Sequence, residues 1–413
     1  IGRDVRLSSP EMAAIIIETL TQEGIDVIDL GICPTPLQYY SLFRLPVDGG
    51  IMITASHNPP EFNGMKLSVA KETLYGDYIS AIRDMAMKGL SMKDIRGNDI
   101  RHGKVTSYDI ISDYISRMKE EFNSSGTGIK IAIDSGNGTA GLVAPKILRE
   151  IGCEVIDLFS EPDGRFPNHE PDPVVVKNLS TLIETVKKEK THLGVGYDGD
   201  SDRIGVVGPD GDIIWGDRLL VIFSRAILKE RPGAAIIGEV KCSQTLFDDI
   251  KAHGGVPVMW KTGHSLIKAK MKESGAVLAG EMSGHMFFAD RYYGYDDAIY
   301  ATLRLVEIIN RSGKGLKELL GGLPEVFSTP EIRFECPDEI KFRVVDKVKE
   351  FFKGYEVIDI DGVRVITPEG WGLVRASNTQ PALVMRFEAK TQEGLQKIRD
   401  MVEEGLRRAM KEV

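Results

Sequence analysis

The chain lacks any long hydrophobic run, and no apolar stretch approaches the ~20 residues that a membrane-spanning helix needs. It also lacks an excess of positive charge, because 52 Lys and Arg stand against 61 Asp and Glu, for a formal net charge of −9. These absences argue against a membrane protein and against nucleic acid or an anionic membrane as the main partner. An anionic small molecule is still compatible with this charge if cations are concentrated locally.

Cysteine is scarce as well. The four cysteines lie far apart and form no CxxC pair; they are Cys33, Cys153, Cys242 and Cys336. This spacing argues against a disulfide framework or a zinc site, and predicts reduced, buried residues of a cytoplasmic protein. The sequence starts at Ile1, with neither an initiator methionine nor a signal-like segment. We therefore expect that an N-terminal piece is missing from it.

Several segments instead repeat one order of elements: an apolar strand, a polar turn, an amphipathic helix and another strand. The strings GIDVIDL (24–30) and GCEVIDL (152–158) are nearly the same, and they follow helix-like segments at 11–22 and 142–150. Another strand–helix–strand unit occupies 234–260. Such alternation predicts parallel-rich sheets that are covered by helices on both faces.

The C-terminal stretch differs, because closely spaced strand candidates lead into one amphipathic helix at 391–412. This order is typical of an α+β domain with an antiparallel sheet. A chain of 413 residues is also too long for one ordinary core. We predict three related α/β domains with mixed, parallel-rich sheets and a C-terminal α+β domain, over residues 1–107, 108–212, 213–325 and 326–413.

The stretch GIMITASHNPP (50–60) is a short apolar strand that stops at a polar loop. Pro59 and Pro60 prevent the strand or a helix from continuing. Ser56 and His57 are therefore held in a tight loop at a strand end, where α/β proteins place reactive groups. A serine in a proline-rich turn is often only a turn residue. The loop alone leaves both interpretations open.

A glycine-rich turn carries Gly136, Gly138 and Gly141 between a strand and a helix, and Asp157 ends the next strand. This is the spacing and context of a dinucleotide-binding fingerprint. The alternative is a turn that needs glycine for close backbone packing. Taken alone, the turn is compatible with a dehydrogenase and with a structural role.

Asp198, Asp200 and Asp202 alternate in the loop DGDSDR between two strand candidates. Three carboxylates so close together repel one another unless a cation neutralises them, and oxygen ligands suit a hard divalent ion. A calcium EF-hand is excluded, because its sixth and twelfth positions would hold Arg203 and Pro209. We predict one Mg²⁺ per chain; an acidic turn without a metal is the alternative.

Two later loops carry groups that suit a phosphorylated sugar. In GEMSGH, a carboxylate and a hydroxyl at alternate positions suit vicinal sugar hydroxyls; the polar residues are Glu281, Ser283 and His285. In VRASNTQP, an arginine precedes hydroxyl and amide donors in a turn, which suits a phosphate; they are Arg375, Ser377, Asn378 and Thr379. Each motif alone is equally compatible with an ordinary polar strand end or capped turn.

Together the four loops make a phosphosugar site. In the motifs TASHNP, DGDSDR, GEMSGH and RASNTQP, and in their order, the chain resembles the α-D-phosphohexomutase family, most closely its phosphomannomutase/phosphoglucomutase branch. The resemblance covers essentially the whole chain. It implies a cytoplasmic enzyme with four domains around one cleft, in which the glycine-rich turn is structural.

The resemblance also implies the reaction. A phosphate on Ser56 passes to the free hydroxyl of a hexose 1- or 6-phosphate. The resulting hexose 1,6-bisphosphate then turns over in the cleft and returns its other phosphate to Ser56. The implied substrates are mannose and glucose phosphates, with no nucleic acid or membrane partner, and the protein is expected to be a monomer or a homodimer. A phosphoglucosamine mutase, and a metal-dependent phosphatase, are the alternatives.

The functional residues of the family map onto this sequence loop by loop. The implied catalytic residues are Ser56, His57, Lys66, Arg203, Lys241 and His264. The implied Mg²⁺ ligands are Ser56, Asp198, Asp200 and Asp202. The implied substrate-binding residues are Glu281, Ser283 and His285 for the sugar, and Arg375, Ser377, Asn378 and Thr379 for the phosphate that does not react.

Two features depart from the family pattern. The opening segment of the type F-G-T-x-G-x-R-G, which supplies a strand and an arginine near the phosphoserine, is lacking. Gln380 stands where many relatives have glutamate, and we expect little effect because its side chain should point away from the ligand. Met282 favours the mannose and glucose branch, since phosphoglucosamine mutases tend to carry glutamine at this position.

Overall fold

The computed structural model of the protein describes residues 1–89, 101–378 and 380–413. The described part of the chain forms three α/β units in series, followed by a unit with an antiparallel sheet. The predicted fold class is therefore confirmed. The limits of the four domains stay a prediction.

The first unit has a four-stranded sheet of order β1-β3-β4-β5, in which β1 and β3 are parallel and the other pairs antiparallel. A separate parallel pair joins β2 to β6. The strands are β1 Gly2–Arg3, β2 Val27–Asp29, β3 Gly49–Ile53, β4 Met65–Val69, β5 Glu72–Thr73 and β6 Val105–Ser107. The helices are α1 Ser9–Gln22, α2 Thr35–Arg44 and α3 Asp77–Met87.

The second unit has a five-stranded mixed sheet of order β11-β10-β9-β7-β8. Its strands are β7 Lys130–Asp134, β8 Glu154–Leu158, β9 Leu193–Tyr197, β10 Ile204–Val207 and β11 Ile213–Ile214. Its helices are α4 Ile110–Glu121, α5 Ala144–Glu150 and α6 Ser180–Glu189, with 3₁₀ turns at Thr139–Leu142 and Val176–Leu179. The aspartate loop, residues 198–203, joins β9 to β10 in this sheet.

The glycine-rich turn follows β7 and packs against the aspartate loop. A Cβ atom on Gly138 would lie 2.6 Å from the carbonyl oxygen of Gly199, and one on Gly141 would lie 2.0 Å from that of Ser160. Both distances are closer than any side chain allows. The glycines are thus required for close backbone packing, the structural role that the family resemblance implied.

The third unit has a four-stranded sheet of order β13-β12-β14-β15, with β15 antiparallel. Its strands are β12 Ala235–Glu239, β13 Val256–Trp260, β14 Leu278–Gly280 and β15 Met286–Phe288. Its helices are α7 Gly216–Glu230, α8 Gln244–Ala252, α9 His264–Ser274, α10 Ala298–Ser312 and α11 Leu316–Leu319.

The fourth unit has a fully antiparallel sheet of order β16-β21-β20-β19-β18, with β17 paired to β21. Its strands are β16 Phe327–Ser328, β17 Ile332–Glu335, β18 Glu356–Ile358, β19 Val363–Ile366, β20 Gly370–Ala376 and β21 Ala382–Ala389. Its helices are α12 Lys341–Phe351 and α13 Gln392–Glu412. The predicted final helix is confirmed, whereas α12 was not predicted.

The first three units share one continuous hydrophobic core, while the fourth has its own. An aromatic cluster lies where the three units meet. The ring centroids of Phe43 on α2 and Tyr293 are 4.4 Å apart, and those of Tyr40 and Tyr114 on α4 are 5.6 Å apart. The first three units are therefore packed as one body. The fourth unit has its own main core and contacts the third through a small buried cluster of Val240, Trp371 and Leu373.

Two predictions from composition can be compared with the structure. All four cysteines are buried and free, as predicted. Among the helices in the described part of the chain, none is long and apolar enough to cross a membrane.

Candidate active site

The serine loop begins where β3 ends, and a buried arginine holds it. Ser56 has a φ of 51°, in the left-handed region that costs a non-glycine residue ~1–3 kcal/mol. The fully buried Arg6 donates from Nη2 to the carbonyl oxygens of Ser56 (2.9 Å) and Asn58 (2.6 Å). Its Nη1 donates to those of Pro59 (2.6 Å) and Phe62 (3.0 Å). One side chain thus fixes the loop that presents the serine.

The Ser56 hydroxyl points at the aspartate loop. Its Oγ donates a 2.7 Å hydrogen bond to Asp198 Oδ2 and lies 3.1 Å from His57 Nδ1. Burial, followed by the nearby Arg203, lowers the pKa of His57 to about 2, so its imidazole is neutral. His57 Nε2 is 3.9 Å from Asp172 Oδ2, too far for a hydrogen bond. The Ser–His pair is therefore not completed by a carboxylate that orients the ring.

The aspartate loop turns its three carboxylates into the interior, where all three residues are fully buried. Asp198 Oδ1 accepts hydrogen bonds from the backbone N–H groups of Asp202 (3.0 Å) and Arg203 (3.1 Å), which closes the loop. One oxygen from each of Asp198, Asp200 and Asp202 lies within 4.8 Å of the others. The structure thus brings the three predicted ligands together beside Ser56.

Lys66, on β4, extends to this cluster. Its Nζ donates to Asp200 Oδ2 (2.7 Å) and Asp202 Oδ2 (2.5 Å). Burial would lower the pKa of Lys66, but the two carboxylates raise it well above its ordinary value. Thr35, at the start of α2, donates from Oγ1 to Asp200 Oδ2 at 2.6 Å. The first unit therefore supplies a cation and a hydroxyl to a loop of the second.

The acidic cluster fits a divalent cation. Burial, then the charges of Asp202 and Asp200, raise the pKa of Asp198 well above its usual range. A cation that neutralises the cluster would relieve this repulsion. Asp200 Oδ1 is buried and accepts no hydrogen bond from the part of the chain that the structure describes. An unpaired carboxylate oxygen among three buried aspartates suits Mg²⁺, which prefers oxygen ligands.

The loop between β14 and β15 meets the aspartate loop. Glu281 Oε1 accepts a hydrogen bond from Gly263 N (2.6 Å), and its Oε2 lies 2.6 Å from His285 Nδ1. Arg203 Nε lies 3.3 Å from His285 Nε2, and the half-buried Ser283 has its Oγ 3.4 Å from His285 Nδ1. Both oxygens of Glu281 are thus engaged by the protein. Its predicted contact with sugar hydroxyls stays a prediction.

Of the three histidines at the site, His285 is the one whose pKa is raised, so its imidazole carries a positive charge. Its burial would lower the pKa, but Asp202 Oδ1, 3.2 Å from Nε2, raises it to about 10, with a further contribution from Glu281. His264, at the start of α9, stacks on this ring with centroids 5.7 Å apart. Desolvation, then Lys268, lower the pKa of His264 to about 3. The two adjacent rings therefore differ in charge.

Lys241 lies between the third and fourth units. Its Nζ donates to Glu331 Oε2 at 2.9 Å, just before β17, and lies 3.7 Å from Glu239 Oε1. Glu239 Oε2 in turn accepts a hydrogen bond from Thr262 Oγ1 at 2.7 Å. This predicted site residue thus takes part in an ion pair across the two units.

The predicted phosphate clamp lies at the end of β20. Arg375 Nε donates to Asp361 Oδ2 at 3.0 Å, an oxygen that also accepts from Thr262 N at 3.0 Å. Arg375 Nη2 is buried and makes no hydrogen bond with the described residues, so a donor is left for a ligand. Asn378 Nδ2 donates to Thr262 O at 3.4 Å. The clamp of the fourth unit therefore contacts the third.

Ser377 and Gln380, on the same loop, are held by hydrogen bonds within the fourth unit. The carbonyl oxygen of Ser377 accepts a hydrogen bond from Lys341 Nζ (2.6 Å), and its Oγ accepts one from Gln380 N (3.2 Å). The side chain of Gln380 accepts a hydrogen bond from Arg333 Nη1. Thr379, also predicted for the clamp, lies outside the described residues.

The four loops form one connected set of contacts, whose links are Ser56–Asp198, Arg203–His285, Glu281–Gly263 and Thr262–Asp361. The sequence analysis missed several residues that build this set, among them Arg6, Thr35, Thr262 and Asp361. The signal available for Thr35 was its place in Pro34-Thr35-Pro36, which marks a helix start.

The sequence and fold of the chain are similar to those of known proteins. Four family models of phosphoglucomutase/phosphomannomutase match successive parts of the chain: alpha/beta/alpha domain I at residues 1–89, domain II at 112–211, domain III at 215–327 and the C-terminal domain at 331–405. A phosphomannomutase/phosphoglucomutase of Pseudomonas aeruginosa is 45% identical over 403 residues, which is 97% of this chain and 85% of the relative.

Two further proteins support assignment to the same family. A phosphoglucomutase of Neisseria meningitidis serogroup A is 43% identical over 405 residues, 97% of this chain and 86% of the relative. The crystal structure of a phosphoglucomutase/phosphomannomutase family protein from Burkholderia thailandensis superposes with a TM-score of 0.89 at 41% identity, and covers 99% of this chain and 88% of that one. The chain therefore belongs to the phosphoglucomutase/phosphomannomutase family.

Proposed function

We propose that the chain is a phosphohexomutase, which interconverts hexose 1-phosphate and hexose 6-phosphate of mannose and glucose. Ser56 carries the phosphoryl group as phosphoserine, and a hexose 1,6-bisphosphate is the intermediate. The contact between Ser56 Oγ and Asp198 Oδ2, at 2.7 Å, is the observation that carries this proposal. It places a hydroxyl that can bear a phosphate directly against the candidate metal ligands.

Phosphoserine explains this geometry better than a serine nucleophile. An unmodified serine needs a base that is itself oriented, and the nearest carboxylate to His57 Nε2 among its ion-pair partners is 3.9 Å away. As the phosphoryl donor, a phosphoserine needs no base to activate it; only in the return step does the Ser56 hydroxyl take the phosphoryl group from the bisphosphate and lose its proton. The transfer needs cations to stabilise the charge that is transferred.

The residues around Ser56 supply that stabilisation. Lys66 Nζ and the Arg203 guanidinium both lie beside the aspartate cluster and carry positive charge. Asp198, Asp200 and Asp202 would hold Mg²⁺ together with an oxygen on Ser56, and the ion supplies charge neutralisation for phosphoryl transfer. The rigid attachment of the loop to Arg6 keeps the donor oriented through repeated transfers.

The fourth unit is proposed to hold the phosphate that does not react. Arg375 offers a buried Nη2 that has no hydrogen-bond partner in residues 1–89, 101–378 and 380–413, and Asn378 lies on the same loop. Because the fourth unit has its own core, it can open and close against the other three while the bisphosphate reorients. The Lys241–Glu331 ion pair would open and reform with this motion.

Mannose and glucose differ only at carbon 2. A site that makes no hydrogen bond to the group at this carbon should therefore accept the phosphates of both sugars. A site that hydrogen-bonded this position would discriminate strongly. We expect catalytic efficiencies for mannose 1-phosphate and glucose 1-phosphate within about tenfold, which is ~1.4 kcal/mol in transition-state binding. Glucosamine 6-phosphate should be clearly poorer. A preference for the aminosugar would place the chain in the phosphoglucosamine branch.

Product analysis tests the proposal. The protein is incubated with glucose 1-phosphate, Mg²⁺ and a trace of glucose 1,6-bisphosphate. We expect glucose 6-phosphate, formed without release of free phosphate. Free phosphate without glucose 6-phosphate would instead indicate a metal-dependent phosphatase.

A further inference from the structure

The backbone that carries Lys241 is held from the fourth unit by two buried arginines. Arg364 Nη1 donates hydrogen bonds to the carbonyl oxygens of Val240 (2.6 Å) and Cys242 (2.9 Å). Arg386 Nη1 donates to the carbonyl oxygen of Lys241 itself. Three consecutive carbonyl oxygens of the third unit are therefore bonded by side chains of the fourth. We call these three contacts the arginine clasp.

Both arginines of the clasp are charged although they are buried. Arg364 is 0% exposed, and burial lowers its pKa to about 10, so it keeps its proton at neutral pH. Its Cζ lies 3.7 Å from the ring centroid of Trp371. Both Nη atoms of Arg386 donate to Asp217 Oδ2, at 3.2 and 3.3 Å. Hydrogen bonds from charged donors are strong, so the clasp is a firm contact between the two units.

The register of the fourth sheet aligns the clasp with the phosphate clamp. On β20, Leu373 is paired with Arg364 of β19 on one side and with Arg386 of β21 on the other. Directly paired residues point to the same face of a sheet. Arg375 lies two residues beyond Leu373, and side chains two residues apart in a strand also share a face. One face of one sheet therefore carries both the clasp and the clamp.

The third unit holds the same stretch of backbone from its other side. Glu239 Oε2 accepts a hydrogen bond from Lys241 N at 2.9 Å, and Cys242 N donates to the carbonyl oxygen of Glu239 at 2.9 Å. The N–H groups around Lys241 are thus bonded within the third unit, and the carbonyl groups are bonded by the fourth. A displacement of the fourth unit would release the carbonyl side of this backbone.

We propose that Arg364 and Arg386 are positioning residues for the phosphoryl-transfer site, which set the place of Lys241 from the fourth unit. The inference rests on the proposed function, in which Lys241 lines the site and Arg375 holds the phosphate that does not react. Because one sheet carries the clasp and the clamp, this phosphate and the Lys241 ammonium are placed by the same rigid element. Lys241 is then aligned only while the fourth unit is docked.

Chemical labelling of lysines tests the clasp without an activity measurement. The full chain is treated with a limiting amount of acetic anhydride, and the acetylation of each lysine is read by peptide mass spectrometry. Arg386→Lys and Arg364→Lys keep the charge but lose the guanidinium fork. The side chain of Lys241 is 7% exposed, so we expect slow labelling in the wild type and severalfold faster labelling in both variants.

Two controls separate a local change from a loss of the fold. Lys66 is held by carboxylates away from the clasp, and its labelling should be unchanged in both variants. Arg343→Lys, at an exposed arginine of α12, should match the wild type at every lysine. If one clasp variant does not fold, Lys66 is labelled faster as well, and the other clasp variant decides.

A double-mutant cycle tests the effect on the reaction. If Arg386 acts through Lys241, Arg386→Lys should lower turnover by about tenfold or more in the wild type, because a small misplacement is costly. In Lys241→Met, the same substitution should change turnover by less than about twofold. A merely structural loss would lower turnover by the same factor in both backgrounds.

Two outcomes would overturn the proposal: Lys241 labelling that is unchanged in both clasp variants, or turnover losses that multiply in Lys241→Met combined with Arg386→Lys. A wild type that forms no glucose 6-phosphate would overturn the proposed function instead. The labelling would then still decide whether the two arginines hold Lys241.

Discussion

The Arg6 guanidinium donates a 2.9 Å hydrogen bond to the carbonyl oxygen of Ser56, the residue proposed to carry the phosphate. Three more carbonyl oxygens of the same loop accept from this one side chain. Because Ser56 is held at a φ of 51°, the loop conformation is one that the chain would otherwise avoid. Arg6 is thus a positioning residue, which acts on the reaction through Ser56.

Arg6→Lys tests this role. A lysine keeps the charge, but its single ammonium group cannot reach four carbonyl oxygens, and buried acceptors would lose partners. We expect the free energy of unfolding to fall by ~2–4 kcal/mol. The turnover number should fall while KM changes little, because the Nη atoms of Arg6 bond carbonyl oxygens of the serine loop. Urea unfolding and steady-state kinetics measure both effects.

Arg165→Lys, at a 73% exposed side chain, is the matched control. Unchanged stability and turnover in Arg6→Lys would contradict the positioning role.

Ser56→Ala should remove most turnover and leave the fold intact. The hydroxyl is the proposed site of phosphate attachment, whereas Ser56 is only half-buried and its loop is also held through backbone groups that the substitution keeps. Mass spectrometry should find phosphate on Ser56 in the active enzyme and none at this position in the variant. Ser80→Ala, at an exposed serine of α3, should behave as the wild type. Full activity of Ser56→Ala would contradict the assignment.

Asp200→Asn should weaken Mg²⁺ binding and slow phosphoryl transfer, with much less effect on sugar affinity. Asp200 is fully buried, and its Oδ1, which has no hydrogen-bond partner among the residues described, is a candidate ligand atom. Calorimetric titration of Mg²⁺ and kinetics as a function of Mg²⁺ concentration check the prediction. The exposed Asp248 gives the control variant Asp248→Asn. If the metal dependence of Asp200→Asn were unchanged, the metal site would have to lie elsewhere.

Asp297 should make stability depend on pH. Burial raises its pKa to about 7, although Tyr114 and Tyr292 both donate to Oδ2 at 3.0 Å. The folded state keeps a proton that the unfolded chain releases near pH ~4. The stabilisation is therefore complete below pH ~4 and is lost as pH rises through 7, by at most about 4 kcal/mol.

Asp297→Asn mimics the protonated form and can still cap α10 by accepting from Tyr300 N. Its stability relative to the wild type should therefore rise between pH 4 and pH 7. Urea unfolding at several pH values measures this difference. A difference that stays constant across this range would show that Asp297 titrates normally.

The sequence was most informative where the functional residues lie close together in a short motif. Asp198, Asp200 and Asp202 lie within five residues, and their chemistry follows from mutual repulsion alone. Arg6 could not be found in this way, because its partners lie about fifty residues further along the chain. Thr35 binds Asp200 across a separation of 165 residues, and only the fold shows that they meet.

The same distinction holds for secondary structure. The strand Gly49–Ile53 was predicted from a short apolar run that stops at a polar loop, and the helix Gln392–Glu412 from the apolar residues along one of its faces. Helix α12 was missed, although Val344, Val345 and Val348 form its buried face, since it lies among closely spaced strands. Pairing of β2 with β6 joins residues that are far apart and depends on tertiary packing.

A single turnover of the phosphorylated enzyme tests the central claim most directly. Enzyme phosphorylated on Ser56 is mixed with glucose 6-phosphate in a stoichiometric amount, quenched, and analysed by peptide mass spectrometry and sugar-phosphate chromatography. We predict that phosphate leaves the Ser56 peptide as glucose 1,6-bisphosphate forms in equal amount. Phosphate that stays on Ser56 during turnover, or leaves it as inorganic phosphate without any bisphosphate, would contradict the phosphoserine mechanism.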